Sequence, residues 1–328
     1  MNEDRKSKII HRIEQRVGIP NLSNILADKL TPTDLQSLLL SVYQKRVLRR
    51  NPRNVLLDYQ TNKFKVPSQT SPLLLLEWDR TAFSHLPDEY KPIELSPVGP
   101  FGSVSSVAPI SQDWILTTVR NLELISDTTN ILALECAVRR QKFLQIKNTK
   151  AAEVHLACSH RVVRSQRYES SNLLQHFRLF SLCSAGRTMG DLRFELKSIS
   201  TYIQFYVNSI RSFLGNDVAF QVVLLDISPD SQNTTMLSDF ITTLNTQVEN
   251  VKVHSEIEPK EKKDYYQNIR FRIYCNQNNG QEVELVDGGA VDWTQKFLNN
   301  AKERLVISGI GSERLCEMQT NNYISNSI

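Results

Sequence analysis

The sequence predicts an α+β fold in which a largely antiparallel sheet is flanked by helices, with a small helical extension at the N-terminus. Two apolar segments of strand length, residues 154–164 and 176–184, are joined by a polar loop and predict a long hairpin. Residues 191–214 repeat apolar side chains every three or four positions, which predicts a long amphipathic helix ending before Gly215. Neither a G-x-G-x-x-G fingerprint nor a Walker A loop is present to favour a parallel, doubly wound sheet.

The N-terminal 71 residues are predicted to form a basic helical region and linker, followed by a main domain over residues 72–328. Residues 1–50 hold ten Lys/Arg against five Asp/Glu, whereas the remaining 278 residues hold 29 against 30. Thr31 precedes an apolar repeat of helical spacing that runs into the basic residues 45–50. A basic helix of this kind suits RNA or an acidic protein partner, although a solvated helix face gives the same pattern.

Prolines mark the connection between these two parts. Eight of the twelve prolines lie between residues 51 and 110. Because proline at that density interrupts helices and central strands, this stretch is predicted to consist of short extended pieces. The main domain is expected to begin near residue 72, inside this stretch.

The remaining elements follow in order along the main domain. Asp127, in the run Ser-Asp-Thr-Thr, is predicted to cap an apolar helix that ends near Arg140. A further helix is predicted over residues 236–248. The predicted strands lie at residues 220–227, 251–257, 269–275, 282–286 and 305–308, and the third alternates apolar residues with Arg270, Arg272 and Tyr274.

Composition restricts the class of protein. With 40% hydrophobic and 23% charged residues, the chain has ordinary globular composition. No purely apolar run is longer than the four leucines at residues 73–76, whereas a membrane span needs about 18 apolar residues. The five cysteines form no C-x-x-C pair, which disfavours a disulfide framework or a zinc site. We therefore expect a cytoplasmic protein without a membrane segment.

Glycine is scarce but unevenly placed. The chain has 11 glycines, where average usage predicts roughly 23. Gly288 and Gly289 are expected to follow a strand, and Gly309 and Gly311 to lie where a strand joins a helix. Glycine at such a join lets a ligand approach the backbone, and the new helix N-terminus favours an anion. Arg314 in the first turn opposes the helix dipole, which favours a functional role for this cation.

Four segments, in this order along the chain, resemble the catalytic core of class II aminoacyl-tRNA synthetases of the histidyl type. Residues 125–140 (ISDTTNILALECAVRR) resemble the helix start that holds the substrate amino group. Residues 160–180 (HRVVRSQRYESSNLLQHFRLF) resemble the second signature motif of the family. Residues 264–271 (DYYQNIRF) resemble the segment that lines the amino-acid pocket, and residues 286–315 resemble the third signature motif.

The resemblance implies a class II synthetase-like antiparallel sheet and the activation of a small carboxylate substrate by ATP and Mg²⁺. Arg164 would hold the α-phosphate, Arg314 the γ-phosphate, and Phe177 the adenine face. The implied ATP contacts are Arg164, Gln166, Phe177, Gly309, Gly311, Glu313 and Arg314, of which Arg164 and Arg314 would be catalytic. The implied amino-acid pocket is Asp127, Thr129, Asp264, Tyr265, Tyr266, Gly288 and Gly289; no residue is assigned to a metal. A homodimer is expected, because the first motif of this family builds a dimer interface.

The chain also departs from the histidyl pattern. Glu261 stands where the family has a catalytic arginine, and Gln166 stands where it has a glutamate that binds adenine. In the family, a glutamine and a glutamate on the return strand of the second motif recognise the substrate histidine. The corresponding positions in this chain fall near His176 and Cys183. Only about 13 residues follow the last motif, so an anticodon-binding domain and tRNA charging are not expected.

Three hypotheses of different classes follow. The first is a ligase that forms an adenylate and passes the activated group to an acceptor other than tRNA. The second is a non-catalytic regulatory paralogue, similar to the histidyl-type regulatory subunit of ATP phosphoribosyltransferase. The third is a module that binds RNA or a protein partner through residues 1–50.

Overall fold

A computed structural model of the chain describes residues 3–62, 64–146, 149–166, 174–216, 218–228, 233–257, 265–276 and 282–325. The N-terminal part of the chain is helical. Its helices are α1 (Glu3–Val17), α2 (Leu22–Asp28), α3 (Pro32–Val47), α4 (Pro52–Thr61) and α5 (Pro72–Ser84). The start of α3 is the one predicted, since the Thr31 hydroxyl accepts a hydrogen bond from the Asp34 N–H at 3.2 Å.

The proline-rich stretch is more helical than predicted. Residues 51–110 contain the whole of α4 and α5, where short extended pieces were expected. Pro52 and Pro72 are the first residues of these two helices, where the missing N–H has no helical acceptor and the fixed φ suits the helix. These prolines begin helices, so the prediction from proline density was wrong for both.

The main domain contains an eight-stranded sheet. Its strands are β1 (Tyr90–Pro92), β4 (Val154–Val163), β5 (His176–Arg187), β6 (Phe220–Asp226), β7 (Val251–Ile257), β8 (Ile269–Asn276), β9 (Glu282–Val291) and β10 (Glu303–Gly311). They are arranged in the order β1-β4-β5-β10-β9-β8-β6-β7, and two short strands, β2 (Val98–Pro100) and β3 (Leu122–Leu124), pair separately. Only the outermost pairs, β1 with β4 and β6 with β7, are parallel. The predicted α+β class with a largely antiparallel sheet is confirmed.

Helices cover both faces of this sheet. They are α6 (Thr128–Gln145), α7 (Arg193–Leu214), α8 (Thr234–Gln247), α9 (Trp293–Leu298) and α10 (Ser312–Ser325). One apolar cluster joins α5, α7 and α10 to the sheet and includes the fully buried Trp78, Phe180 and Tyr206. A second cluster lies under α6 and α9 and includes Leu132 and Trp293. The predicted long helix is therefore α7, and Gly215 follows its last residue with a φ of 108°.

The glycine pair in β9 differs from expectation. Gly288 and Gly289 lie inside β9, paired with both neighbouring strands, and do not follow a strand. A Cβ atom on Gly288 would lie 2.6 Å from the carbonyl oxygen of Ile307, and one on Gly289 2.6 Å from that of Ile269. The pair is therefore required for close packing within the sheet.

Two further predictions concern the cysteines and the N-terminal region. All five cysteines are free and buried, in agreement with the prediction that they form no disulfide framework.

Among the helices of the described residues, none is both long enough and apolar enough to cross a membrane. Among residues 4–62 and 64–74 none is buried, and the first buried side chain along the described chain is Leu75. The predicted domain boundary at residue 71 stays a prediction.

Candidate functional site

A cavity of about 880 Å³ opens between the β4–β5 hairpin, the ends of β9 and β10, and the first turns of α6 and α10. Ten of the residues assigned from the sequence line it: Asp127, Thr129, Arg164, Phe177, Tyr265, Tyr266, Gly309, Gly311, Glu313 and Arg314. The remaining lining residues were not assigned: Val66, Ser68, Gln69, Thr70, Leu174, His176, Leu179, Ser181, Glu284, Leu285, Asp287, Ile307, Ser308 and Glu317. The fold thus brings together residues as far apart along the chain as Val66 and Glu317.

Three of the assigned residues that the structure describes do not line this cavity. Gln166 lies beyond the end of β4 and is not among the lining residues. Gly288 and Gly289 are enclosed by neighbouring strands and are not among the lining residues, so their place in the amino-acid pocket stays a prediction. Asp264 lies outside the described residues, as does Glu261.

Asp127 organises the end of the cavity where α6 begins. It is the N-cap of α6, and its Oδ1 accepts hydrogen bonds from the Thr129 N–H at 2.9 Å and the Thr129 hydroxyl at 2.8 Å. Its Oδ2 accepts a hydrogen bond from Nη2 of Arg164 at 3.1 Å. The carboxylate is therefore fixed in position by its own helix and by the arginine of the β4–β5 hairpin.

Arg164 links three parts of the site. Its Nε donates to the carbonyl oxygen of Ser126 at 2.9 Å, in addition to its ion pair with Asp127. Its guanidinium carbon lies 5.1 Å from the ring centroid of Phe177, which is a cation–π distance. Arg164 is thus held over the aromatic ring that the resemblance assigns to adenine.

Tyr265 and Tyr266 form the aromatic wall of the cavity. Their ring centroids are 4.9 Å apart in an edge-to-face arrangement, and Tyr265 packs in the same way against Trp293 at 5.4 Å. Burial raises the pKa of both tyrosines well above the ordinary value, so both hydroxyls remain protonated and can donate hydrogen bonds. The Tyr266 hydroxyl donates to Oδ2 of Asp287 at 3.1 Å.

Asp287 and Arg270 are site residues that sequence reasoning missed. Arg270 donates from Nε to Oδ1 of Asp287 at 2.7 Å and from Nη2 to Oδ2 at 3.1 Å, a bidentate pair. Its guanidinium carbon also lies 5.2 Å from the ring centroid of Tyr266. The available signal was the alternation in β8, which puts Arg270 on the face opposite the apolar side chains Ile269 and Phe271.

The other end of the cavity is formed by the junction of β10 and α10. No atom lies within 4 Å of the position that a Cβ on Gly311 would take, so the backbone there faces open space. Arg314 lines the cavity and donates from Nη1 to the carbonyl oxygen of Glu284 at 2.8 Å. Glu313 accepts from Nη2 of Arg161 at 2.9 Å and from the N–H of Arg178 at 2.6 Å, so this carboxylate ties α10 to the hairpin.

Carboxylates outnumber the cations on the cavity wall. The acidic lining residues are Asp127, Glu284, Asp287, Glu313 and Glu317, against Arg164 and Arg314. Partial burial raises the pKa of Glu317 above the ordinary value for glutamate. Within the described ranges, no group of three or more His, Cys, Asp or Glu residues could hold a metal ion.

These elements define the class of fold. The antiparallel sheet, the long β4–β5 hairpin and the β10–α10 junction that meet at the cavity form the catalytic-core fold of the class II aminoacyl-tRNA synthetases. Among the similar solved structures, three are histidyl-type proteins.

Three of these structures are similar over most of this chain. The ATP phosphoribosyltransferase regulatory subunit/histidyl-tRNA synthetase from Bacillus halodurans has a TM-score of 0.56 and 14% identity, over 78% of this chain and 83% of its own. The histidine–tRNA ligase subunit of Alicyclobacillus acidocaldarius has a TM-score of 0.55 and 10% identity, over 78% of this chain and 96% of its own. Apo histidyl-tRNA synthetase from S. aureus has a TM-score of 0.53 and 12% identity, over 78% of this chain and 70% of its own.

The sequence itself is distant from known families. Neither a family model nor a curated protein matches the chain. At identities of 10–14%, the structural similarity establishes the fold and carries no activity with it.

Proposed function

We propose that this chain binds ATP in the cavity and uses it to activate the carboxylate of an amino acid or a related small molecule as an adenylate. The activated group would pass to an acceptor other than tRNA. The observation that supports this proposal is the convergence of Arg164, Phe177 and Arg314 on one cavity, whose lining also includes the open backbone of Gly311.

The cavity residues fit a nucleotide with its phosphates. The aromatic face of Phe177 suits a base, and two guanidinium groups suit phosphate oxygens because each offers several donors in a planar fork. The absent side chain at Gly311 leaves space where a phosphate could approach the backbone at the start of α10. Magnesium would enter with the phosphates, where it would neutralise charge on the leaving pyrophosphate.

The chemistry requires no protein nucleophile. The substrate carboxylate oxygen forms a bond to the α-phosphorus, and the bond from that phosphorus to the leaving pyrophosphate breaks. Arg164 would stabilise the negative charge that develops on the α-phosphate oxygens, and Arg314 the charge on the leaving group. Asp127 and Thr129 would receive the substrate amino group, beside the aromatic wall of Tyr265 and Tyr266.

A second candidate is a regulatory subunit that binds the same ligands without reaction. Two observations favour it: Glu261 replaces the arginine of the histidyl pattern, and Arg164 is already paired with Asp127. Because a paired arginine is partly neutralised, it gives less stabilisation to an anionic transition state.

A third candidate assigns the function to the N-terminal region. Residues 1–50 carry the basic excess, and no described residue among them is buried. Such a surface suits RNA phosphates or an acidic protein. Salt-dependent RNA binding that disappears when residues 1–50 are deleted is the result this candidate requires. In every case we propose a homodimer, by analogy with the dimer interface built by the first motif of the class.

ATP–pyrophosphate exchange across a panel of amino acids and related carboxylates tests the first candidate. We expect exchange with at least one substrate, and we expect Arg164→Ala and Arg314→Ala each to lower the rate about 10- to 100-fold, because each removes a charge-assisted contact to phosphate. Arg120→Ala, at an exposed position outside the cavity lining, is the matched control and should leave the rate unchanged. Retained binding of ATP without exchange for any substrate would exclude the ligase and support the regulatory subunit.

A further inference from the structure

A segment from outside the sheet closes one side of the cavity. Residues 64–71, here called the strap, connect α4 to α5, and Val66, Ser68, Gln69 and Thr70 of the strap line the cavity. The segment has no regular secondary structure. Even so, Val66, Ser68 and Thr70 are half-buried while the residues between them are exposed. This alternation is typical of an extended chain with one face turned toward the protein.

His176 holds the middle of the strap. Its Nε2 lies 2.8 Å from the carbonyl oxygen of Val66, and its Nδ1 lies 3.0 Å from Nη1 of Arg161. A carbonyl oxygen only accepts and a guanidinium only donates, so these contacts assign a neutral imidazole with its proton on Nε2. His176 therefore donates to the strap and accepts from Arg161.

The same contacts lead to the far end of the cavity. Arg161 donates from Nη2 to Glu313 at 2.9 Å, and Glu313 lies in the first turn of α10. His176 and Arg161 thus join the strap to the β10–α10 junction, where Gly311 and Arg314 line the cavity. Both ends of the strap are also attached: the N–H of Lys65 donates to the carbonyl oxygen of Asn62 at 2.9 Å, and Ser71 is the N-cap of α5.

We propose that the strap is a wall of the ligand site, that the Thr70 hydroxyl contacts the bound ligand, and that His176 is the positioning residue that holds the strap closed. The identity of the ligand as a nucleotide rests on the proposed function. The position of the strap does not depend on that function.

Labelling of a cavity thiol tests the position of the strap without any ligand. Gly311→Cys places a thiol where no atom lies within 4 Å, and the five native cysteines are buried, so reaction with N-ethylmaleimide reports this position alone. In this background we expect His176→Leu to raise the labelling rate about 3- to 10-fold, the value of one or two hydrogen bonds. The labelling rate of His176→Gln should stay near that of the Gly311→Cys parent, because the glutamine amide can still donate to the carbonyl oxygen of Val66. The matched control is His254→Leu, which lies on the edge strand β7.

A second measurement tests the contact with ligand. We expect Thr70→Val, which removes a hydroxyl at nearly constant volume, to weaken the affinity for ATP with magnesium about 3- to 10-fold by calorimetry. Thr61→Val, at an exposed position at the end of α4, should leave the affinity unchanged.

The outcomes separate the two proposals. Equal labelling rates in the parent and in His176→Leu, with both chains folded by circular dichroism, would overturn the role of His176. Equal affinities of the two threonine variants would overturn the contact with ligand. Absence of ATP binding by the unsubstituted chain, together with faster labelling of His176→Leu than of its Gly311→Cys background, would exclude the proposed nucleotide and leave the strap as a wall of the cavity.

Discussion

Two glycines of the third signature segment have different surroundings, although the resemblance assigned both of them to contact a ligand. Gly288 lies within the sheet, and an added Cβ would lie 2.6 Å from both Ile307 O and Phe271 Cε1. Gly311 faces open space in the cavity wall. The spacing of glycines along the chain does not distinguish close strand packing from approach of a ligand, because both uses require the absence of a Cβ atom.

Alanine substitutions at these two positions should therefore affect different properties, stability at Gly288 and ATP binding at Gly311. We expect Gly288→Ala to lower the free energy of unfolding by about 1–3 kcal/mol through overpacking against backbone. Gly311→Ala should change it by less than about 0.5 kcal/mol and instead weaken ATP binding. Urea unfolding and calorimetric titration with ATP and magnesium measure the two effects. A stable Gly288→Ala variant would contradict the packing role.

The resemblance assigned ten of the lining residues of the cavity but not the pairing among them. Asp127, Arg164 and Phe177 were assigned to different ligand groups, yet in this structure Arg164 contacts both of the others. The pair formed by Asp287 and Arg270 was missed because the two residues are 17 positions apart and meet only through the register of β8 and β9. Pairing across a sheet depends on register, which the sequence did not specify here.

At the scale of elements, periodicity and caps predicted well. The β4–β5 hairpin, α6, α7 and the alternating strand β8 were predicted because each buries one face with a regular period. The errors occurred where one residue type has two uses. Proline both interrupts helices and begins them, and only the second use applies at Pro52 and Pro72.

A buried ion pair fixes α6 to the first residue of β10. Arg140 and Glu303 are both fully buried, with Nε to Oε2 at 2.8 Å and Nη2 to Oε1 at 2.9 Å. We expect Glu303→Gln to lower the free energy of unfolding by about 3–5 kcal/mol, because it leaves the arginine charge buried without a counter-charge.

The matched control is on the same helix. Glu135→Gln breaks the more exposed pair with Arg139, which we expect to cost less than about 1 kcal/mol. Urea denaturation of both variants gives the comparison. Equal losses of stability would show that the burial of the Arg140 pair has no energetic consequence.

Strand β4 contributes a pH dependence of stability. Burial lowers the pKa of His155 and of His160 below the ordinary value of 6.5, so the folded state binds these protons less readily than the unfolded state. Their contribution to stability is complete above pH 6.5 and is lost as the pH falls from there through the lower folded pKa values.

Urea midpoints at pH 7.5, 6.5 and 5.5 measure this effect. We expect the midpoint to fall with pH in the parent, and to fall less in a His155→Gln, His160→Gln double variant. His11→Gln, on the exposed surface of α1, should keep the slope of the parent. A double variant with the parental slope would assign the pH dependence to other groups.

At the scale of the whole molecule, the chain divides by charge and by burial. The basic excess lies in residues 1–50, and no described residue before Leu75 is buried. The fold class and the resemblance to class II synthetases followed from the sequence, because four segments in order constrain one architecture. The strap did not follow, since residues 64–71 carry no periodic apolar pattern or motif and reach the cavity only through the path of the folded chain.

The central claim is that the cavity between Phe177 and Arg314 binds a nucleotide, and a crystal of the chain soaked with ATP and magnesium tests it most directly. The account predicts a nucleotide with its base against Phe177, its phosphates between Arg164 and Arg314, and the Arg164–Asp127 pair opened or shared. A cavity that stays empty at saturating ATP, or a nucleotide bound elsewhere on the chain, would contradict it.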